Sequence, residues 1–120
     1  MRNNCFINLT NHPSDKWDEN QRKAANEYGT IIDIPFPSVN STATEAEIEQ
    51  LCGDIVEKVM KYNPYVVLCQ GEFTLAFQII NTLLDKGVVV VAACSERKAI
   101  VNGNRKESYF NFTKFRKFVR

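Results

Sequence analysis

The chain has 120 residues, of which 44% are hydrophobic and 24% charged, and its formal net charge is +1 at pH 7. These values fit one ordinary globular domain over residues 1–120, long enough to bury a core. A charge so near zero excludes a general attraction to long nucleic acid or to an anionic membrane, so any anion must be bound by a local arrangement of side chains.

The first part of the chain alternates between strand and helix patterns. Residues 4–9 form a short apolar run closed by polar residues, which predicts a buried strand. Apolar positions then recur at helical spacing, with Ser14 as the expected N-cap and Gly29 as the left-handed stop. Residues 30–34 are mostly β-branched and predict the second strand.

The middle of the chain repeats this alternation. Thr44 and Glu47 fit a capping box that opens a helix reaching about Tyr62. Residues 65–69 are almost wholly apolar, as in a strand that is covered on both faces. A third helix is predicted over residues 73–85. Its buried stripe is expected to contain Phe73, Phe77, Ile80 and Leu84.

The last part adds a fourth strand and a hairpin. Residues 88–94 are the fourth apolar run. Asn102-Gly103 then separates two strand-like segments, and this dipeptide is the strongest short hairpin signal because both residues tolerate positive φ. The hairpin and the tail after it are the most basic part of the chain, which is typical of a solvated charged face.

Strands that alternate with helices predict a parallel sheet with right-handed crossovers. We therefore expect a Rossmann-like, three-layer α/β fold: a four-stranded parallel sheet in the order 2-1-3-4, helices on both faces, and a C-terminal antiparallel hairpin. In this order the chain reverses direction between strands one and three. Ligands of open α/β sheets bind at such a crevice, outside the carboxyl ends of the strands.

Polar residues follow the first strand at this edge. Thr10, Asn11 and His12 come just before a predicted helix, whose N-terminal N–H groups and dipole favour an anion such as phosphate. His12 is the only histidine, and histidine exchanges protons near neutral pH. It is either a ligand or catalytic contact, or a loop residue that orders the turn before Pro13.

A second polar group, Gln70-Gly71-Glu72, follows the third strand. Glutamine can pair with both N6 and N7 of adenine, so Gln70 either reads a base or makes ordinary loop hydrogen bonds. Gly71 permits close approach of the backbone. Glu72 either serves the site or complements the dipole of the next helix.

The third polar group is expected in the loop at the exit of the fourth strand, where Ser95, Glu96, Arg97 and Lys98 occur. Arg97 can hold a phosphate in its planar fork and offset charge that develops in a transition state. Its alternative role is a surface ion pair with Glu96 or Glu72.

Several common classes of site lack their sequence signatures. No glycine belongs to a dinucleotide fingerprint or a P-loop, and there is no nucleophile elbow, HExxH motif or cysteine-histidine cluster. The four cysteines are too widely spaced for a metal or redox motif and are predicted to be reduced core residues. We therefore expect no metal and no cofactor. No apolar run reaches the roughly 18 residues of a membrane span, and no signal-peptide cleavage site follows Met1, so a cytoplasmic protein is expected.

Four segments carry a resemblance to a known family. They are Phe6-Ile7-Asn8-Leu9-Thr10-Asn11-His12-Pro13-Ser14, Gln70-Gly71-Glu72-Phe73-Thr74, Ala93-Cys94-Ser95-Glu96-Arg97 and Phe112-Thr113-Lys114-Phe115-Arg116. In the order and spacing of these segments and in its small size, the chain resembles the Rossmann-like, CARF-like ring nucleases of type III CRISPR systems. Those proteins bind and degrade cyclic oligoadenylate second messengers in antiviral defence.

The resemblance implies a homodimer whose two sheet edges form one symmetric pocket for a ring of adenylates. It also implies metal-independent RNA cleavage, in which a ribose 2′-OH attacks the adjoining phosphate and leaves a cyclic phosphate or a shorter linear oligoadenylate. In that chemistry His12 carries the proton, Arg97 and Lys98 clamp the phosphate, and Glu72 is a reserve base. The implied orienting contacts are Asn11, Gln70 and Ser95.

Three other functions remain open at the level of sequence. The first is a sensor or sponge that binds the same messenger without turnover. The second is a deoxyribosyltransferase-like enzyme that processes nucleosides with Glu72 as nucleophile. The third is a protein-interaction subunit that uses the aromatic tail.

Overall fold

A computed structural model describes all 120 residues and contains one five-stranded sheet in the order β2-β1-β3-β4-β5. The strands are β1 (Asn3–Leu9), β2 (Thr30–Asp33), β3 (Pro64–Cys69), β4 (Val89–Asn102) and β5 (Arg105–Lys117). β1 to β4 are parallel, and β5 runs antiparallel to β4. The predicted order of the first four strands is confirmed. The predicted antiparallel hairpin that turns at Asn102-Gly103 is confirmed, but the prediction of four strands is wrong, because β5 pairs with β4 and adds a fifth strand to the same sheet.

Three helices cover the two faces of this sheet: α1 (Glu19–Asn26), α2 (Glu45–Met60) and α3 (Phe73–Asp85). The larger core lies between the sheet and α2 and α3, and Ile7 and Val67 belong to it. The smaller core lies on the α1 side and includes Phe6 and Leu68. Adjacent residues of a strand point to opposite faces, so β1 and β3 supply both cores and read as continuous apolar runs.

α1 begins later than predicted. Residues Ser14–Lys16 form a short 3-10 turn, and α1 follows Asp18, whose carboxylate accepts the N–H of Gln21 at 2.8 Å. Ser14 is not the N-cap, because its hydroxyl donates to the carboxylate of Asp33 at 3.0 Å.

Two other predicted helix boundaries are confirmed. The Thr44 hydroxyl caps α2 by accepting the N–H of Glu47 at 3.2 Å. Gly29 has φ 147° and lies where a Cβ would overlap the backbone of Asn4, so a glycine is needed between α1 and β2.

The apolar stripe of α3 differs from the prediction. The residues that face the sheet are Leu75, Ala76, Ile79 and Leu83. Phe73 and Phe77 are 89% and 70% exposed, so their predicted burial is wrong. Both stripes have helical spacing, and periodicity alone does not select between them.

β4 extends well beyond the rest of the sheet. Its pairing with β3 ends at Val91, whereas its pairing with β5 continues to Asn102. Residues 95–112 therefore form a two-stranded ribbon, here called the arm. The radius of gyration is 15.9 Å, against about 13.6 Å for a compact domain of this length. The loop predicted at Ser95 is wrong, because β5 continues the ladder that β3 no longer supplies.

A β-bulge marks the root of the arm. Cys94 pairs with Lys114 and Ser95 pairs with Phe112, which leaves Thr113 as an extra residue in β5. The Thr113 hydroxyl donates to the carbonyl of Cys94 at 2.8 Å. Because the bulge resets the alternation of β5, Phe112 and Phe115 face the same side of the sheet.

All four cysteines are free, as predicted. Cys5, Cys52 and Cys69 are buried, and Cys94 is half-buried. Burial, and to a smaller extent the neighbouring Cys52, raises the pKa of Cys69 to about 12.

Candidate functional site

The turn after β1 is held by buried polar side chains. The Asn8 amide is fully buried and donates at 2.9 Å to both the carbonyl of His12 and the carboxylate of Asp33. The Thr10 hydroxyl donates to Asn8 Oδ1 at 2.8 Å and accepts the N–H of His12 at 3.1 Å. Trp17 Nε1 donates to the same His12 carbonyl at 3.1 Å. The backbone of His12 is thus fixed from several sides, while its imidazole is exposed.

A cavity of about 690 Å³ lies at the carboxyl edge of the sheet, on the α1 side. We call it the edge cavity. It contains four of the predicted site residues, and it is bounded by the turn after β1, the ends of β3 and β4, and the arm. The lining residues are Thr10, His12, Lys16, Trp17, Asp18, Gln21, Leu68, Gln70, Ala93, Ser95, Phe110 and Phe112.

Gln70 lies where β3 and β4 separate. Its Oε1 accepts the N–H of Ala93 at 3.3 Å, a group that no longer has a partner in β3. The backbone N–H of Gln70 donates to the carbonyl of Leu9 at 3.2 Å, which holds the ends of β1 and β3 together. Gln70 therefore has a structural role through its oxygen, and its amide NH₂ remains available as a donor.

One wall of the edge cavity is aromatic. Phe112 and Phe115 have ring centroids 4.8 Å apart, and Phe115 packs on Phe6 at 5.0 Å. Trp17 closes this cluster, 6.2 Å from Phe6 in an edge-on arrangement. Phe110 lies further along the arm and is 74% exposed. The aromatic wall thus has a packed inner part, which includes Trp17 and Phe112, and an exposed outer part, which is the ring of Phe110.

Asp18 connects this wall to α1. One carboxylate oxygen caps the helix, and the other accepts the N–H of Phe112 at 3.4 Å, beside the bulge. The contact joins residues far apart in the sequence and fixes the distance between α1 and the arm.

The four polar residues predicted after β4 lie on different faces of the arm. Ser95 faces α1 and lines the edge cavity. Arg97 lies on the same face, because strand residues two apart share a side, and it pairs across the arm with Phe110. Its guanidinium donates to the Ser108 hydroxyl at 3.5 Å and forms no ion pair. Glu96 and Lys98 alternate to the opposite face, away from the edge cavity.

Gly71 and Glu72 also lie outside the edge cavity. The Glu72 carboxylate caps α3, accepting the N–H of Leu75 at 2.9 Å and that of Thr74 at 3.1 Å. The hydrogen bond from the Leu75 N–H has the largest effect in lowering the pKa of Glu72, and those from the hydroxyl and the N–H of Thr74 lower it further. Gly71 packs under the ring of Phe36, where a Cβ would overlap the ring.

The structure therefore brings together Thr10, His12, Gln70 and Ser95, and places the other six predicted residues elsewhere. Asn11 is exposed and does not line the edge cavity. Other lining residues were not predicted from the sequence, notably Lys16, Trp17, Asp18 and Phe110. The sequence feature that these residues share is a weak signal, because each is simply a polar or aromatic residue next to a proline-containing turn or in a hairpin.

No group of three or more His, Cys, Asp or Glu side chains is arranged to hold a metal ion. None of the three helices combines the length and the apolar character needed to cross a bilayer.

Comparison with known proteins gives a family. A protein-family model matches residues 4–116, which include residues of every strand and helix. No curated protein matches the chain. The family name states no activity. The chain belongs to the Uncharacterized protein MJ1673 family.

Proposed function

We propose that the chain binds cyclic oligoadenylate in the edge cavity and cleaves it without a metal ion, as a CARF-like, Rossmann-like ring nuclease of cytoplasmic type III CRISPR defence. The observation that carries the proposal is the composition of the edge cavity. Aromatic walls, an amide, hydroxyls, an imidazole and an ammonium group surround one space at the carboxyl edge of a parallel sheet.

The aromatic wall and Gln70 support binding of bases. Stacking of a base on an aromatic ring contributes about 1–3 kcal/mol and needs no hydrogen-bond readout. Phe110 has the most accessible ring of the wall. The NH₂ group of Gln70 can donate to N7 of adenine while its oxygen keeps the bond to Ala93.

The cations near the edge cavity support binding of phosphates. Lys16 lines the cavity itself. Arg97 lies one residue pair beyond Ser95 on the same face of the arm and has no acidic partner. A free guanidinium fork suits two oxygens of one phosphate.

The proposed reaction is an in-line transesterification. The ribose 2′-oxygen bonds to the adjoining phosphorus as the bond from phosphorus to the 5′-oxygen breaks, the 5′-oxygen takes a proton from solvent to become a hydroxyl, and a 2′,3′-cyclic phosphate remains. The His12 imidazole takes the proton of the 2′-OH, and Arg97 offsets the charge on the phosphoryl oxygens. The fixed backbone of His12 supports this role because it places the imidazole at the rim.

The size of the edge cavity supports a homodimer. A volume of about 690 Å³ suits one drug-sized ligand, whereas a ring of four or six adenylates is larger. Two copies related by a two-fold axis would each bind half of the ring.

The test is incubation of the protein with cyclic tetra-adenylate and cyclic hexa-adenylate, with and without EDTA, followed by separation of the products. Linear products ending in a cyclic phosphate, formed equally in EDTA, support the proposal. Trp17 is the only tryptophan and lines the edge cavity, so its fluorescence reports binding directly. Neither a change in fluorescence nor any product with either ring would overturn the proposal.

Two variants test the residue roles. Arg97→Ala should weaken binding by about 10-fold to 100-fold, through loss of a charge-assisted hydrogen bond, and Arg105→Ala is the matched control on the opposite face of the arm.

His12→Ala should lower turnover by about 10²-fold to 10⁴-fold with less effect on binding. Parental cleavage rates in both Arg97→Ala and His12→Ala would contradict the assignment.

A non-catalytic sensor or sponge is the second candidate, and one observation favours it. The imidazole of His12 has no hydrogen-bond partner within the chain, so no second side chain orients it for proton transfer. Ligand that binds, changes Trp17 fluorescence and is recovered unchanged would select this function. The nucleoside-processing alternative loses support, because the Glu72 carboxylate caps α3 outside the edge cavity.

A further inference from the structure

The outer face of α3 leaves two large aromatic side chains in water. Phe73 is 89% exposed, and Phe77, one turn later, is 70% exposed. Together with Ile80 and Phe118 they border a hollow of about 370 Å³ between α3 and the sheet. We call this surface the α3 groove. It lies on the face of the sheet opposite to the edge cavity.

The lining of the α3 groove is almost wholly apolar. Gln70 is the one lining residue whose side chain carries an amide, a hydroxyl or a charge, and its oxygen already accepts the N–H of Ala93. A nucleobase buried here would lose the hydrogen bonds that water makes to its edge, which is costly when no partner replaces them. An aliphatic or aromatic side chain has no such groups to satisfy. The lining therefore fits an apolar side chain better than a base.

Two cations lie at the rim of the α3 groove. Ala92 lines the groove and pairs across the strands with Arg116. Lys114 pairs with Cys94, the next residue of β4 on the same face. Residues directly opposite each other in an antiparallel pair have Cβ atoms about 5 Å apart, so both cations extend from positions beside the groove. Both side chains are exposed, and neither forms an ion pair.

The acidic groups around the α3 groove do not offset these cations. Asp85 at the end of α3 pairs with Arg120 at 2.6 Å. The Glu72 carboxylate caps the start of α3, where it accepts the N–H of Leu75. α2 packs on the opposite flank of α3, beside Thr82, so the acids of α2 do not face the groove.

The strands that continue this face of the sheet carry an excess of positive charge. A second copy placed on this surface would bring cations close to their own symmetry mates, which is unfavourable. A partner that carries carboxylates would be attracted. The α3-side face of β4 and β5 has four bases and two acids, which are Lys98, Arg105, Lys114, Arg116, Glu96 and Glu107.

We propose that the α3 groove binds an acidic segment of another protein. A bulky apolar side chain of that segment enters the hollow beside Phe73 and Phe77. The carboxylates of the segment pair with Lys114 and Arg116 at the rim. An amphipathic helix laid into an apolar groove is a common form of such binding. The inference concerns a second surface and does not depend on the ligand of the edge cavity.

The arrangement of rings and charges favours a protein segment over an anionic membrane. A helix that lies on a membrane has Lys and Arg along its own polar face, beside its apolar face. α3 has no basic residue. The cations belong to β5, on the far side of a hollow from Phe73 and Phe77. A side chain can enter this hollow, whereas a bilayer surface would pass over it.

The test is a selection from a random-sequence peptide library displayed on phage, with the whole chain as bait. The retained peptides should combine a bulky apolar residue with several acidic ones. The most enriched peptide is then made with a fluorescent label, and its anisotropy is titrated with the chain. Binding should weaken as salt is added, because salt screens exposed charge pairs.

The first variant removes the rings of the α3 groove. Phe73→Ser/Phe77→Ser should weaken binding of the labelled peptide by at least about 10-fold, because buried aromatic anchors dominate interface energies. The control is Phe110→Ser, which removes a ring of similar exposure from the opposite face of the sheet. It should bind the peptide like the parent.

The second variant reverses the charges at the rim. Lys114→Glu/Arg116→Glu should weaken binding of the acidic peptide by about 3-fold to 30-fold, since two exposed charge pairs are lost and repulsion replaces them. The control is Lys23→Glu/Lys106→Glu, which makes the same change of net charge at exposed positions on the α1 side. It should leave the affinity unchanged.

The possible outcomes either support the proposal or overturn it. Circular dichroism and the melting temperature check that each variant is folded. The proposal is wrong if no peptide is enriched, if the enriched peptides lack acidic residues, or if both groove variants bind the acidic peptide like the parent. Binding to vesicles of phosphatidylserine and phosphatidylcholine, or to oligo(U) RNA, that is lost in the groove variants while no peptide is enriched would assign the surface to that partner instead. None of these measurements uses cyclic oligoadenylate, so they leave the proposed function to its own test.

Discussion

Asn8 is the residue on which the turn after β1 depends most. Its side chain bonds to the carbonyl of His12, the carboxylate of Asp33 and the hydroxyl of Thr10, and none of it is exposed. A buried amide stabilises a fold only when its partners are in place, because an unsatisfied polar group costs about 1–3 kcal/mol. The position of the His12 backbone, from which the imidazole extends, therefore depends on a residue that does not itself line the edge cavity.

Gly71 gives a prediction at the scale of a single residue. Gly71→Ala places a Cβ against the ring of Phe36, which is 3% exposed and packed in the larger core. The free energy of unfolding should fall by about 1–3 kcal/mol, as for other overpacked sites. The control is Gly53→Ala inside α2, where a Cβ meets no atom within 4 Å, and it should stabilise by about 0.5–1 kcal/mol. Urea denaturation measures both, and a gain of stability in Gly71→Ala would contradict the packing described.

The sequence predicted part of the edge cavity because strand ends in a parallel sheet meet at one edge. Thr10, Gln70 and Ser95 follow buried runs, and topology alone brings them together. Lys16 and Phe110 could not be predicted in this way. The position of Lys16 depends on the 3-10 turn, which hydrogen bonds to Asp33 hold in place. The face of the sheet on which Phe110 lies depends on a bulge, which the alternation of residues in the sequence does not reveal.

At the scale of elements, Asp18 joins α1 to β5. Asp18→Ala removes both the helix cap and the acceptor for the Phe112 N–H. Loss of an N-cap costs about 1 kcal/mol, and hydrogen exchange at the Phe112 amide should become faster than in the parent. Thr44→Ala is the matched control, since it removes the cap of α2 and leaves β5 untouched. Equal exchange at Phe112 in the two variants would show that Asp18 does not hold the arm.

The helices and strands were predictable from the sequence where a single pattern, such as a capping box or an apolar run, indicated the element. The capping box at Thr44 fixed the start of α2, and β1 and β3 read as apolar runs because both of their faces are covered. α3 is apolar on two stripes, so the sequence left open which one faces the sheet. The end of β4 was missed because its ladder partner changes from β3 to β5 in the middle of the strand.

At the scale of the whole molecule, the arm contributes little to the core, and it contains Arg97 and Phe110, to which ligand contacts are assigned by the proposed function. No residue between 97 and 110 belongs to either hydrophobic core. Replacing residues 97–110 by Asn-Gly joins the Glu96–Asn111 pair through a two-residue turn. The shortened chain should still unfold cooperatively, with a Tm within a few degrees of the parent, but should bind cyclic oligoadenylate at least about 10-fold more weakly. Calorimetry and Trp17 fluorescence measure the two effects, and a non-cooperative transition would show that the arm is part of the core.

Cys94 lies at the root of the arm, where β4 has left β3 and the bulge begins. The other three thiols are buried. A maleimide dye applied to the native chain should therefore attach first at this one position, without any engineered cysteine. The fluorescence polarisation of the attached dye would measure the mobility of the arm before and after cyclic oligoadenylate is added.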